Sequence, residues 1–199
     1  KGRNSASFQS EFSRMNSHPS TGTLWLVVGP SGAGKDSLLD GAKAALSDSP
    51  AHYFVRRDIT RPADAGGEDH NPVSVAEFEA RQKAGGYCLS WQAHDLRYGI
   101  PKAIEAELTA GRHVIVNVSR ALIGTAREMF PDVRVVNITV PRAVLESRLR
   151  GRGRESEADI QKRLERAEAF TLEGPGVISF INDRPLEESV TAFTALFAQ

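Results

Sequence analysis

The chain has 199 residues, 40% hydrophobic and 25% charged, the balance of one globular domain with a sizeable buried core. Its 25 basic and 25 acidic residues cancel, so no overall field points to nucleic acid or a membrane surface, and no apolar run approaches the roughly 18 residues a span needs. A single cysteine, Cys88, excludes an internal disulfide framework and fits a reducing, cytoplasmic setting; it reads as a small buried hydrophobe.

Residues 1–22 are polar and serine-rich and read as a disordered leader containing Met15, a natural start; the domain proper is expected over 23–199. The apolar, β-branched run 23–29 reads as a strand. A glycine-rich loop then feeds a helix from about Lys35, in which Leu38, Leu39, Ala42 and Leu46 recur at helical spacing. Residues 52–60 ("HYFVRRDIT") read as one strand, followed by a Pro- and Gly-rich loop. A helix over 74–85 opens with a capping box of Ser74 and Glu77. A short strand is expected at 87–91, and a helix over 101–111 with Pro101 in its first turn and Gly111 at its end. Strands at 113–118, 133–140 and 176–182 then alternate with helices at 120–129, 142–150, 155–170 and 185–197. The alternation predicts an α/β fold with a mostly parallel sheet flanked by helices.

The loop Gly29, Pro30, Ser31, Gly32, Ala33, Gly34, Lys35 has the P-loop spacing G-x-x-x-x-G-K, and Ser37 lies just beyond it. Its glycines let backbone N–H groups turn inward on phosphate oxygens, and the helix adds its positive end. The hydroxyl expected after the lysine is replaced by Asp36. A carboxylate there is a hard-oxygen ligand for magnesium, directly or through water. It is also a favourable charge for a helix start, worth about 0.3–1 kcal/mol.

In series, "GPSGAGK", "ITRP", "VSVAEFE", "RYGIP", "AGRHVIVNV" and "RLRGRGRESEADIQKRLERA" resemble guanylate kinases over about 23–197. The resemblance implies a P-loop NTPase with an acceptor lobe at about 58–100 and an arginine-rich lid at about 148–160, using ATP and Mg²⁺. By position it makes Lys35 the P-loop lysine, Arg148 and Arg152 lid arginines on the ATP phosphates, and Arg163 the arginine near the transferred group. It puts Arg61 and Tyr98 on the acceptor phosphate and adenine beside Asn182 and Asp183. Arg150, Arg154 and Arg166 read as a solvated basic face.

The departures concern the acceptor. Asp64 stands where guanylate kinases carry a second arginine, and His70 where they carry a tyrosine. Ser90 replaces a guanine-reading glutamate, and Asn117 with Ser119 falls where a guanine-reading aspartate belongs. A site without those acceptors loses much of its affinity for guanine. With "GKDS", "RPADAGGEDH", "LSW" and "VNVSRA", the pattern resembles the ribose 1,5-bisphosphate phosphokinases, relatives of guanylate kinase in bacterial phosphonate breakdown. That resemblance implies transfer from ATP to the anomeric phosphate of ribose 1,5-bisphosphate, giving phosphoribosyl pyrophosphate and ADP. The attacking phosphate oxygen is already ionised, so no general base is expected. Arg56, Arg57 and Arg120 are candidates for the sugar 5-phosphate, Asn117 and Ser119 for ribose hydroxyls, and His70, His94 and Ser90 for further substrate contacts. A nucleoside monophosphate kinase of altered base choice is the alternative. A non-catalytic binding module would need neither the P-loop lysine nor the lid arginines.

Overall fold

The computed structural model describes residues 22–62, 68–93, 95–151, 153, 156–168 and 172–198. Residues 1–21 of the expected leader, Asp64, His94, Arg152 and Arg154 lie outside them. In chain order the elements are β1 (Leu24–Val28), α1 (Lys35–Ala45), β2 (His52–Phe54), β3 (Asp58–Ile59), β4 (Asn71–Pro72), α2 (Val75–Lys83), β5 (Tyr87–Ala93), β6 (Leu96–Pro101), α3 (Ile104–Thr109) and β7 (His113–Asn117). A 3₁₀ turn over Arg120–Leu122 leads to α4 (Ile123–Met129), β8 (Val133–Thr139), α5 (Arg142–Gly151), α6 (Glu157–Glu168), β9 (Val177–Ile181) and α7 (Leu186–Thr194), and a second 3₁₀ turn, Ala195–Ala198, follows.

Five strands form a wholly parallel sheet in the order β2-β7-β1-β8-β9. Its centre, β1, is at most 1% exposed at every residue, as a parallel strand covered on both faces must be. Alternate residues feed two cores. Leu24, Leu26 and Val28 join Val114, Val116, Val118 and Val135 under α3 and α4, while Trp25 and Val27 meet Leu38 and Ala42 of α1 and Phe193 and Phe197. The β1–α1 turn therefore emerges at the carboxyl ends of the strands, where α/β sheets bind ligands.

A second sheet, β4-β3-β6-β5, occupies the predicted acceptor-lobe region, and here the structure corrects the sequence reading. The run 52–60 is two strands in two sheets. Val55 still donates to the Ile115 carbonyl at 3.0 Å, after which the chain leaves β7 and Asp58 pairs with Gly99. Strand β6 was not expected, because "DLRYGIP" lacks a continuous apolar pattern; β3 and β5 supply its ladder from either side. Gly99 is needed there for space, since a Cβ would lie 2.6 Å from the Tyr87 ring. Pro101 ends β6 opposite Tyr87 instead of opening a helix, and α3 starts at Ile104. The capping box of Ser74 and Glu77 is present as read. The lobe closes around Asp58, 3% exposed, which accepts from Arg81 at 2.6 Å, Tyr87 at 2.8 Å and Asn71 at 3.2 Å. Three donors meet the cost of burying that carboxylate. Cys88 donates weakly to the Ile100 carbonyl, and burial pushes its thiol up to about 11. No helix among the described residues is long and apolar enough to cross a membrane.

At the opposite end of the sheet, His113 Nδ1 accepts from the Trp25 indole N–H at 3.4 Å, and its ring lies 5.5 Å from that of His52. Burial, His52 and Arg134 hold its pKa below the ordinary 6.5. The unfolded chain then takes up the proton first, so the stability due to neutral His113 is full above about pH 6.5 and lost as pH falls through the lowered folded value. Urea unfolding between pH 8 and 5 should show this loss, and His113→Gln, which keeps an acceptor for Trp25, should flatten it. An unchanged pH slope in the variant would assign the effect elsewhere.

Candidate active site

The P-loop turns where side chains cannot go. Gly34 precedes α1 at φ 86°, and a Cβ there would lie 2.6 Å from Asn182 Nδ2. That close approach is deliberate packing: Asn182, 4% exposed, donates to the Ala33 carbonyl at 2.7 Å and props the loop from behind. Lys35 folds over the loop, its ammonium 2.9 Å from the Gly29 carbonyl and 3.0 Å from that of Pro30. The open α1 terminus faces a hollow of about 110 Å³ lined by Ser31, Gly32, Gly34, Lys35, Asp36 and Ser37. Backbone N–H groups, a helix end and a mobile cation in one hollow are chemistry for phosphate oxygens.

The two lid helices reach the same loop. Arg148 on α5 lies 3.5 Å from the Ala33 carbonyl, and Arg163 on α6 donates to Ser31 Oγ at 2.8 Å. A cleft of about 600 Å³ opens between α6 and the loop, with Arg163, Arg166, Lys162, Ser119 and Arg120 on its walls. Arg166, read from sequence as solvated face, belongs to this lining. Arg150 does pair on the surface, with Glu146 and Glu157. On the other side of the loop, about 320 Å³ is bounded by Gly34, Ser37, Arg148, Asn182, Arg184 and Leu186. Asn182 lines this space, whereas Asp183 is exposed and outside it. Leu186, 55% exposed, offers an apolar surface beside Arg148. Sequence reasoning missed Arg184 and Leu186, because only the β9 turn brings them to the loop.

On the acceptor side, Asn117 at the end of β7 donates to Asp36 Oδ1 at 3.3 Å, joining two candidates 81 positions apart. Tyr98 stacks on Trp91 with centroids 4.9 Å apart and planes 8° from parallel. Burial raises its phenol pKa, Arg57 opposing and Glu68 adding to the shift. The Tyr98 hydroxyl has no hydrogen-bond partner among the described residues. Arg57 is buried: its guanidinium lies 5.3 Å from the Trp91 ring centre and 5.2 Å from that of Tyr98, and it meets both carboxylate oxygens of Glu68. Arg57 therefore pins the aromatic pair. His70, 6% exposed, sets its ring nitrogens 2.9 Å and 3.1 Å from the carbonyls of Glu68 and Arg61, and so staples the loop instead of facing the cleft. Ser90 accepts from Gln82 at 2.9 Å. Glu68 and Trp91 lie in quoted motifs but were not singled out as site residues, and Gln82 carried no sequence signal.

A family model described as guanylate kinase matches residues 21–197. A ribose 1,5-bisphosphate phosphokinase PhnN of Agrobacterium fabrum is 46% identical over 164 residues, covering 82% of this chain and 90% of that protein. Its counterpart in Acidiphilium cryptum is 47% identical over 178 residues, covering 89% and 93%. The chain belongs to the guanylate kinase family, on its ribose 1,5-bisphosphate phosphokinase branch. A bifunctional ribose 1,5-bisphosphokinase-thymidine phosphorylase of Azorhizobium caulinodans is 47% identical over 175 residues, covering 88% of the chain but 25% of that protein. The chain thus spans about a quarter of such bifunctional relatives. The guanylate kinase of Anaplasma phagocytophilum shares the fold at a TM-score of 0.61 and 20% identity, covering 90% of this chain and 86% of the other.

In this guanylate kinase family member Ser90 is tied to Gln82 and Asn117 to Asp36. The buried Arg57–Glu68 pair stands in the same lobe. Removing one partner of such a pair strands the other charge, typically at about 3–5 kcal/mol. Glu68→Gln should lose stability on that scale in urea unfolding, and the double change Arg57→Met with Glu68→Met should recover most of it. A loss under about 1 kcal/mol would mean that the pair behaves as a solvated one.

Proposed function

We propose that the chain transfers the γ-phosphoryl group of ATP to the anomeric phosphate of ribose 1,5-bisphosphate, giving phosphoribosyl pyrophosphate and ADP. The observation that carries this reading is an intact phosphate-handling half beside an acceptor lobe without guanine-reading carboxylates. Lys35, Arg148 and Arg163 all reach the P-loop itself, while Ser90 and Asn117 stand at the base-reading positions by resemblance. The names of the stand-alone relatives support the same substrate.

Phosphoryl transfer between two phosphates is a problem of position and charge. Lys35 and the α1 terminus carry the donor phosphates, and Arg148 and Arg163 approach them from the lid, where planar guanidinium groups suit phosphate oxygens. Arg152, outside the described residues, belongs to the same lid set by position. Arg61 and Tyr98 hold the acceptor phosphate in line, with the Trp91 stack fixing the tyrosine. Asn117 and Ser119 serve ribose hydroxyls, and Arg184 and Leu186 join Asn182 around adenine. The protein side fits magnesium: among the described residues there is no cluster of three potential metal-binding side chains, and one carboxylate, Asp36, borders both the P-loop hollow and the acceptor cleft. An ion that keeps waters and takes phosphate oxygens needs little more from the protein. A magnesium ion held beside Asp36 would supply charge neutralisation for the phosphates.

ADP release coupled to a reporter reaction, with ribose 1,5-bisphosphate and the common nucleoside monophosphates compared, should show turnover with the sugar bisphosphate at a kcat/KM at least tenfold above any nucleotide. Faster turnover of a nucleotide would make the chain a nucleoside monophosphate kinase.

For Asp36, the Asn variant should raise the magnesium concentration for half-maximal rate by about tenfold. An unchanged magnesium curve would leave Asp36 the role of a helix-end charge.

A further inference from the structure

Beyond the P-loop, α1 runs away from the reaction centre with Asp36, Asp40 and Lys43 spaced i, i+4, i+7, which places them on one helix face. All three line the cleft between α1 and the acceptor lobe, opposite Arg56, Arg57, Glu68 and Asp69. The charges there are sorted. Glu68 meets Arg57 in the buried pair, and Asp36 accepts from Asn117. The Asp69 carboxylate bridges Lys43 Nζ at 3.1 Å and Arg56 Nη2 at 2.8 Å, and all three side chains are about half exposed, at 48–50%. Those two cations hold the Asp69 carboxyl below its ordinary range.

We propose that Lys43 and Arg56 form the subsite for the distal phosphate of the acceptor, and that Asp69 holds the two cations together until that phosphate displaces it. The assignment rests on the reaction proposed above and names the residues that select a bisphosphate. Exposed ion pairs of the Asp69 kind contribute about 0–1 kcal/mol, so exchanging the carboxylate costs little. A phosphate monoester brings nearly two charges and three acceptor oxygens in its place. Lys43 lies eight residues beyond Lys35, about 12 Å along the helix axis at 1.5 Å per residue. A ligand that meets the donor phosphates at one end and Lys43 at the other therefore carries anionic groups at both ends, and a nucleoside monophosphate carries one. Asp40, one turn before Lys43, presents only acceptor oxygens, which suits a sugar hydroxyl between the two phosphates.

The subsite can be tested by binding, without turnover. Isothermal titration of ribose 5-phosphate and ribose 1-phosphate into the wild type, Lys43→Gln, Arg56→Gln and Asp69→Asn proteins separates the two ends of the acceptor. Loss of a charge-assisted contact should weaken ribose 5-phosphate about tenfold or more in Lys43→Gln and in Arg56→Gln and leave ribose 1-phosphate unchanged. Asp69→Asn should tighten ribose 5-phosphate. Equal weakening of both sugars, or of neither, overturns the subsite, and an Asp69→Asn protein that binds no tighter overturns the displacement. Thermal unfolding of each variant controls for folding, and the two cation variants, on different elements, guard against damage at one site. A wild type that binds ribose 5-phosphate through these residues yet does not turn over ribose 1,5-bisphosphate would sink the proposed reaction and leave the subsite standing.

Discussion

The carbonyl oxygen of Ala33 is where the parts of this molecule meet. It receives the Asn182 amide from the end of β9 and lies within reach of Arg148 from α5, and it can do so only because the next residue, Gly34, turns left-handed with no Cβ in the way. A strand buried on both faces leads into that turn, and a helix packed under Phe193 and Phe197 leaves it. The loop is thus clamped at both ends and propped from behind. A loop held this way keeps its shape before any ligand arrives, which is the preorganisation that phosphate binding rewards.

Around that fixed loop stand two parts with interiors of their own. The lid helices share a small core of Leu145, Leu149, Ile160 and Leu164, and Val140 packs against both this core and the sheet. The acceptor lobe is organised by the buried Asp58 carboxylate and its three donors. Separate cores let each part keep its internal geometry while charge is gathered between them. In the reaction proposed above two highly charged phosphates must be brought in line, a task that calls for cations such as Lys35 and the arginines around the loop to oppose their repulsion.

The acceptor lobe also shows how one frame changes its clientele. A buried guanidinium held by Glu68 and two aromatic rings takes up room near the cleft. Such a pair is weak evidence for stability, because desolvating both charges offsets their attraction. Its consequence here is orientation: it fixes the Trp91–Tyr98 stack. Ser90 and Asn117 are satisfied by Gln82 and Asp36, so the positions that read a base are quiet.

The P-loop, the strand before it and the helix after it were legible because glycine spacing and hydrophobic period are local properties. The capping box on α2 was legible for the same reason, and serial motifs were enough to name the family. The division of residues 52–60 between two sheets was not legible, since an apolar run does not say which partner strand claims each half; the ladders to β7 and β6 decide that. Nor could spacing tell that Arg57 and His70 turn inward while Arg166 faces a cleft. Burial and hydrogen-bond partners, which depend on residues far away in the chain, set those outcomes. The sequence by itself determined the phosphate-binding chemistry and the fold class, because both follow from short-range pattern. Only the tertiary structure decided which cations line the clefts and which are spent on the protein, because that choice depends on where distant carboxylates and carbonyls come to lie.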